Sequence, residues 1–385
     1  MNMMIDAVAS KMSVADWDNF RARSTSKPNE AQHDPGKQEY DQRIQQQAQA
    51  RTYISSLDKE TISQKLTRSL DISCFPEIWS GSLPEKRTRT LTTYSANGSD
   101  VEVLIEWKEW TPSLITRDEV VTRVSDIVAI LSSPPSCINN ILSSLGFFED
   151  NRGNDRGMKW VGIVYDTASL GHRPRIRTMR DLLTRPAGKS REIWKPPLGD
   201  RFRLAHHLAE TLLAVHNCDW LHKGLRPENI VFFSTERSIN NPYLLGWDSS
   251  RSSRRGQKTE PVMSWHPDLE LYQHPLWFED PSPEDSDQSR FRIEFDHYQL
   301  GCVLLEIGLW CLIGDLKKAK GDTFSGPNWR EEWKKYLEHK TKILEVEMGK
   351  IYSEVVLNLL QGLDAYGKDM EYWNVVVRQL SICTA

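Results

Sequence analysis

The sequence has no two cysteines at C-x-x-C spacing; its six Cys are scattered through 385 residues. That pattern indicates neither a zinc site nor a disulfide framework, and it reads as reduced thiols in a cytoplasmic protein. An excess of one charge is lacking too. A formal net charge of −4 gives no reason to expect nucleic acid or an anionic membrane surface as partner. Met1–Met12 has no sustained apolar core, so no cleavable signal peptide is expected. The most apolar run, Leu300–Ile313, is interrupted by Glu306 and falls short of the ~20 residues a membrane span needs. It reads as a buried helix. A glycine-rich phosphate loop is also absent. The first hundred residues hold isolated glycines such as Gly81 and Gly98 but no G-x-G-x-x-G. Backbone amides need glycines to close around phosphates.

What is present is enough for a sizeable core: 39% hydrophobic residues, with 14 Trp. Residues 1–75 are polar and weakly patterned, which predicts a partly helical or disordered N-terminal tail. Within it, Ser24–Lys37 reads as a linker, and Glu39–Leu57 and Lys59–Leu70 as helical pieces without a strong apolar face. Removing residues 1–58 is therefore expected to leave the fold intact. From Trp79 the texture changes to strands and turns: Arg87–Tyr94, a turn at Ser95-Ala96-Asn97-Gly98, then Val101–Trp107. Arg117–Leu131 is an amphipathic helix carrying Val120, Val124, Ile127, Val128 and Leu131 at helical spacing. Strands are expected at Leu142–Phe148, Lys159–Val164 and Ile230–Phe233. Helices are expected at Met179–Leu183, Arg201–Asn217, Trp329–Lys340, Tyr352–Leu360 and Glu371–Leu380. A Ser/Arg-rich loop, Ser249–Lys258, and an acidic insertion, Pro281–Gln288, interrupt the second half.

The segment His222-Lys223-Gly224-Leu225-Arg226-Pro227-Glu228-Asn229 resembles the catalytic loop of the protein kinase family, H-R-D-L-K-P-E-N. A second match, Asp296-His297-Tyr298-Gln299-Leu300-Gly301 through Glu306, resembles that family's D-x-x-S-L-G-x-x-L-x-E helix, with Gln299 in place of the Ser. The resemblance implies an α+β, bilobal fold: a small β-rich N-lobe over 76–166 and a larger helical C-lobe over 167–385. It implies that Asp296 ties the catalytic-loop backbone to the C-lobe. It also places Lys108, in Ile105-Glu106-Trp107-Lys108, at the family's phosphate-binding lysine. The residues alone equally allow a strand-end lysine, solvated or paired with Glu106. Asp126 falls where the family has a helix acid that pairs with that lysine, and alone it reads as a solvated helix acid.

The same resemblance marks chemical losses. Gly224 stands where the family has the Asp that accepts the substrate proton. In Gly246-Trp247-Asp248 the family has D-F-G, so Gly246 replaces the Asp that holds magnesium, a cation that requires oxygen ligands. Leu276, after Tyr272-Gln273-His274-Pro275, replaces the Glu of A-P-E. His222, Trp247 and Asp296 keep the architectural positions. The expectation is a pseudokinase, with no catalytic residue, no bound metal and a protein partner. Lys108, Asp126 and Asn229 are the positions through which ATP would bind if it binds at all. More narrowly, the wording resembles kinase-like domains of filamentous fungi that often follow a HeLo-type domain and are tied to self/non-self recognition and cell death. A nucleotide-binding sensor, or an atypical kinase rewired through Lys108, Asn229 and Asp248, is the alternative.

Overall fold

A computed structural model describes residues 49, 52–57, 59–81, 89–132, 140–152, 157–171, 175–184, 194–234, 238–252, 268–278, 291–363 and 372–385. The linker at Ser24–Lys37, the insertion at Pro281–Gln288, and most of Glu39–Leu57 and Ser249–Lys258 lie outside the described residues. The fold is α+β and divides into two compact units. One comprises Met1–Asp166 with Leu213–Trp220, the other Thr167–Leu212 with Leu221–Ala385. No single helix among the described residues is long and apolar enough to cross a membrane.

After a helical stretch at 52–57, the first unit has two short helices, α1 (Ile62–Lys65) and α2 (Pro76–Ser80). An antiparallel sheet follows, built from β1 (Arg89–Ala96), β2 (Ser99–Trp110), β3 (Ser144–Asp150) and β4 (Lys159–Asp166) in the order β1-β2-β4-β3. Helix α3 (Arg117–Ser132) lies between β2 and β3 in the chain. Asn97 and Gly98 join β1 to β2 with φ of 54° and 76°. A left-handed pair of this kind matches the right-handed twist of a two-residue hairpin. Along β2, Val103, Ile105 and Trp107 share one face and pack with Phe75, Ile78, Phe148, Trp160 and Val164. The residues between them, Leu104, Glu106 and Lys108, alternate to the opposite face.

The tail departs from expectation. Phe75 is fully buried, and Ile54 and Leu57 are only 3% and 1% exposed. Within residues 59–70, Ile62–Lys65 form α1 and Leu66–Arg68 a 3-10 turn, so the expected helix is present over 62–68 only. Their apolar contacts come from a few well-separated side chains. That spacing is too sparse to register as periodicity in a window of 11–18 residues.

The second unit is mainly helical. A small antiparallel sheet is made by β5 (Ile176–Thr178), β6 (Ile230–Phe233) and β7 (Tyr243–Leu244), with α4 (Met179–Leu183) directly after β5. The longer helices are α5 (Leu198–Asn217), whose residues from Leu213 on are counted with the first unit, α6 (Ile293–Leu309), α8 (Trp329–Met348) and α9 (Lys350–Gln361), with the short α7 (Ile313–Ala319) after α6. A π-helical turn, Trp373–Val377, leads into α10 (Arg378–Ser381). Helix α8 runs eight residues past the expected end at Lys340. Thr341, Leu344 and Met348 extend its buried face at spacings of three and four. Helix α6 is buried over Phe295–Gly308, polar residues included. Those polar groups need partners inside the unit, and their partners define the site.

Candidate functional site

Asp296, in the first turn of α6, is fully buried. Its two carboxylate oxygens accept hydrogen bonds from the backbone amides of His222, at 2.9 Å, and Lys223, at 2.7 Å. Three residues along the same helix, on the same face, Gln299 Oε1 accepts from the Leu225 amide at 3.0 Å. Two side chains of α6 thus hold three of the four backbone donors of the loop 222–225, leaving out only Gly224. Lys223 takes a left-handed conformation, φ 65°, at the centre of this turn. A non-glycine residue there costs about 1–2 kcal/mol, which the bonds to Asp296 offset. Gln299 is the mismatch to the family's Ser, and its role is not among the expectations from sequence. Its i+3 spacing from Asp296 was the available signal.

His222 bridges two segments. Its Nδ1 accepts from the Gly224 amide at 3.2 Å, and its Nε2–H donates to the Leu245 carbonyl at 3.1 Å. Both bonds fix a neutral ring protonated on Nε2. Burial pushes its pKa down to about 4, against the opposing pull of Asp296. Trp247 packs edge-on against this ring, with centroids 4.8 Å apart, and its indole N–H donates to the Leu244 carbonyl at 2.9 Å. Asp248 is half-buried on the 3-10 turn Trp247–Ser249 and adds a negative field at His222.

Asn229 ties the loop to the Gly246 segment. Its backbone carbonyl accepts from the Leu245 amide at 2.8 Å, and its side-chain amide donates to the Gly224 carbonyl at 2.6 Å. Gly246 has φ 89°, and a Cβ built there would coincide with the Asn229 amide group. A Cβ on Gly224, whose φ is not in the left-handed region, would meet the Gly246 carbonyl at 3.2 Å and Asn229 Nδ2 at 3.3 Å. The two glycines and Asn229 are therefore mutually fitted. Among the described residues, no group of three or more His, Cys, Asp or Glu side chains is arranged to hold a metal ion.

Two further pairs anchor the surroundings. Arg180 on α4 bridges Glu228, at 2.7 Å, and Asp268, at 3.1 Å. Glu306, fully buried near the end of α6, accepts from the Tyr272 hydroxyl at 2.6 Å and the Ile313 amide at 2.9 Å. Burial pushes the Glu306 carboxyl well above its usual range. Neither pair was anticipated, because 48 and 34 residues separate the partners.

The remaining site positions belong to the first unit. Lys108 is 5% exposed, so the solvated strand-end reading is corrected: Leu104, Glu106 and Lys108 form an inward face of β2. Glu106 is held by Arg89, directly opposite on β1, at 2.7 Å, and by the Tyr165 hydroxyl at 3.1 Å. Asp126 is likewise buried rather than solvated, and its carboxylate forms an ion pair with Lys65. Lys65 was not among the expected site residues.

Of the described loop and its partners, every residue from His222 to Glu306 lies inside a match to a family model described as a domain of unknown function, DUF7580, which spans residues 159–371. That is more than half of the chain. The chain belongs to the DUF7580 family. Lys65, Lys108 and Asp126 lie outside the matched residues, so the DUF7580 match covers the Asp296-centred loop and not the ion pairs around α3. No curated protein matches the chain.

Proposed function

We propose that this DUF7580 protein is a pseudokinase: a bilobal protein-kinase-like module that serves as a regulatory or protein-interaction unit and transfers no phosphoryl group. One observation carries the reading. The Asn229 side chain fills the space that a side chain at residue 246 would take, and its amide is bonded to the Gly224 carbonyl. In the kinase resemblance these are the asparagine and the two aspartate positions that handle magnesium and the substrate proton. The residues present do not fit a magnesium ion, which requires carboxylate or water oxygens in octahedral geometry. Catalysis of phosphoryl transfer is almost wholly positioning and electrostatics, so losing both carboxylates removes the means. The architectural contacts at His222, Trp247 and Asp296 are satisfied, in keeping with a scaffold retained for surfaces rather than chemistry. The likeness to fungal kinase-like domains suggests self/non-self or cell-death signalling as the setting.

The test is calorimetric titration of the full chain with ATP, with and without magnesium, beside a radiolabel-transfer assay. Expected are no magnesium-dependent heat and no label incorporation. Magnesium-dependent binding that disappears in Asn229→Ala would replace the proposal with a nucleotide sensor. Label transfer would replace it with an atypical kinase.

A further inference from the structure

Helix α3 is gripped from outside its own sheet by the polypeptide that precedes the sheet. Residues 52–57 are helical, and within them Ile54 and Leu57 are buried. The Tyr53 hydroxyl reaches the Ala129 carbonyl of α3 at 3.5 Å. Lys65, 3% exposed, donates to the Leu57 carbonyl at 2.9 Å and forms the ion pair with Asp126. One residue back on α3, the fully buried Ser125 donates from its hydroxyl to the Lys65 carbonyl, and accepts from Arg68, both at 3.0 Å. Arg68 is itself held by both oxygens of Glu60, at 2.7 and 2.8 Å. Past that point the segment changes partner. The Leu70 amide donates to the Phe147 carbonyl of β3, and Ser69 bridges Phe147 in parallel. Gly146 admits this approach: a Cβ there would stand 2.7 Å from the Arg68 carbonyl.

We propose that residues 52–68 are a clamp on helix α3, with the buried Lys65–Asp126 pair as its lock. Through this clamp, the segment itself sets the mobility of α3. The reasoning is energetic. Separating a buried, hydrogen-bonded ion pair is unfavourable, so the pair ties this stretch of the helix to the segment. The polar contacts made by Lys65 and Arg68 fall on adjacent residues of α3, Ser125 and Asp126, and the Tyr53 contact falls on Ala129, one turn on. The grip is therefore on one stretch of the helix and not spread over the unit. Phe75 and Ile78, in contrast, sit in the apolar cluster of the sheet and anchor the clamp's far end. This inference does not depend on the pseudokinase reading.

The experiment is amide hydrogen exchange on the full chain, comparing wild type with Lys65→Met and Asp126→Asn. The second variant keeps an acceptor oxygen for Lys65 and guards against a misfolded first. Expected in Lys65→Met is exchange faster by roughly tenfold in the α3 peptides, the equivalent of about 1.4 kcal/mol, with β1, β2 and β4 unchanged. A smaller change confined to the same peptides is expected in Asp126→Asn. Unchanged α3 exchange in both variants would overturn the clamp. So would equal acceleration throughout the unit, which would make the pair a general stabiliser and not a local lock.

Discussion

Two buried aspartates divide the labour of this molecule in opposite ways. Asp296 in the second unit is hydrogen-bonded by main-chain donors, the amides of His222 and Lys223. Asp126 in the first is neutralised by a side-chain cation, Lys65, from a distant segment. Every residue except proline keeps its backbone N–H, so Asp296 fixes a loop conformation almost whatever the identity of the loop's side chains. That is how the loop keeps its shape with glycine at position 224. The Lys65–Asp126 pair fixes which segment packs on α3, and it depends entirely on two replaceable side chains.

The sharpest way to break this comparison is substitution of each carboxylate. Asp296→Ala strands two buried amide donors, at roughly 1–3 kcal/mol each, and Asp126→Ala leaves Lys65 buried and unpaired, at about 3–5 kcal/mol. The difference appears on rescue. Lys65→Met with Asp126→Leu should regain most of the stability in chemical denaturation, because apolar replacements of a buried pair are often neutral. No change of His222 or Lys223 side chain should rescue Asp296→Ala. Rescue of Asp296→Ala by such a change would show that the two aspartates are held alike.

Truncation comes next. Deleting residues 1–58 removes the buried Ile54 and Leu57 and the Leu57 carbonyl that accepts from Lys65. At about 1.5–3 kcal/mol per buried aliphatic side chain, the melting temperature should fall by roughly 10 °C. Deleting only residues 1–48 should change it far less. The indifference to truncation expected from polarity alone is thus replaced by a boundary near residue 52. Equal melting of both truncations would remove the clamp from the folded unit.

A smaller effect concerns pH. His222 has a folded pKa of about 4 against an ordinary value of 6.5, so the unfolded chain takes up the proton first. Its contribution is complete above pH 6.5 and is lost as pH falls toward about 4, amounting to roughly 3 kcal/mol. His274, also pushed down to about 4 by burial, acts in the same direction, while the raised carboxyl of Glu306 acts oppositely. Comparing wild type with His222→Gln isolates the term: stability curves that stay parallel from pH 7 to 4 would contradict the buried neutral ring.

The smallest effect should come from Gly224→Asp. Its φ lies outside the left-handed region, and its Cβ contacts of 3.2 and 3.3 Å require a shift of a few tenths of an ångström in the Gly246 carbonyl and in Asn229. A loss of about 1–2 kcal/mol, as in other overpacked sites, is expected in thermal melts, with no gain of ATP turnover. Gly246→Asp should be far worse, because its Cβ would displace the Asn229 amide and its φ of 89° disfavours a side chain. Equal losses in the two variants would mean that Asn229 does not hold the Gly246 segment in place.

Sequence alone determined the elements with strong local patterns. The hairpin around Asn97-Gly98, helix α3, strand β6, the loop 222–229 and the Asp296 helix are legible because each is encoded by periodicity, turn chemistry or a contiguous motif. The two glycines where the resembling family carries aspartates are legible for the same reason. Tertiary structure alone decided the partners. Lys65 meets Asp126 across 61 residues, Tyr272 meets Glu306 across 34, and Arg89 meets Glu106 through strand register. It also decided that the Asn229 amide fills the space above Gly246. Periodicity reports which face of an element is apolar, but a buried charge is matched by whichever opposite charge or donor the fold brings within reach. That choice is made in three dimensions and leaves no spacing in the chain to read.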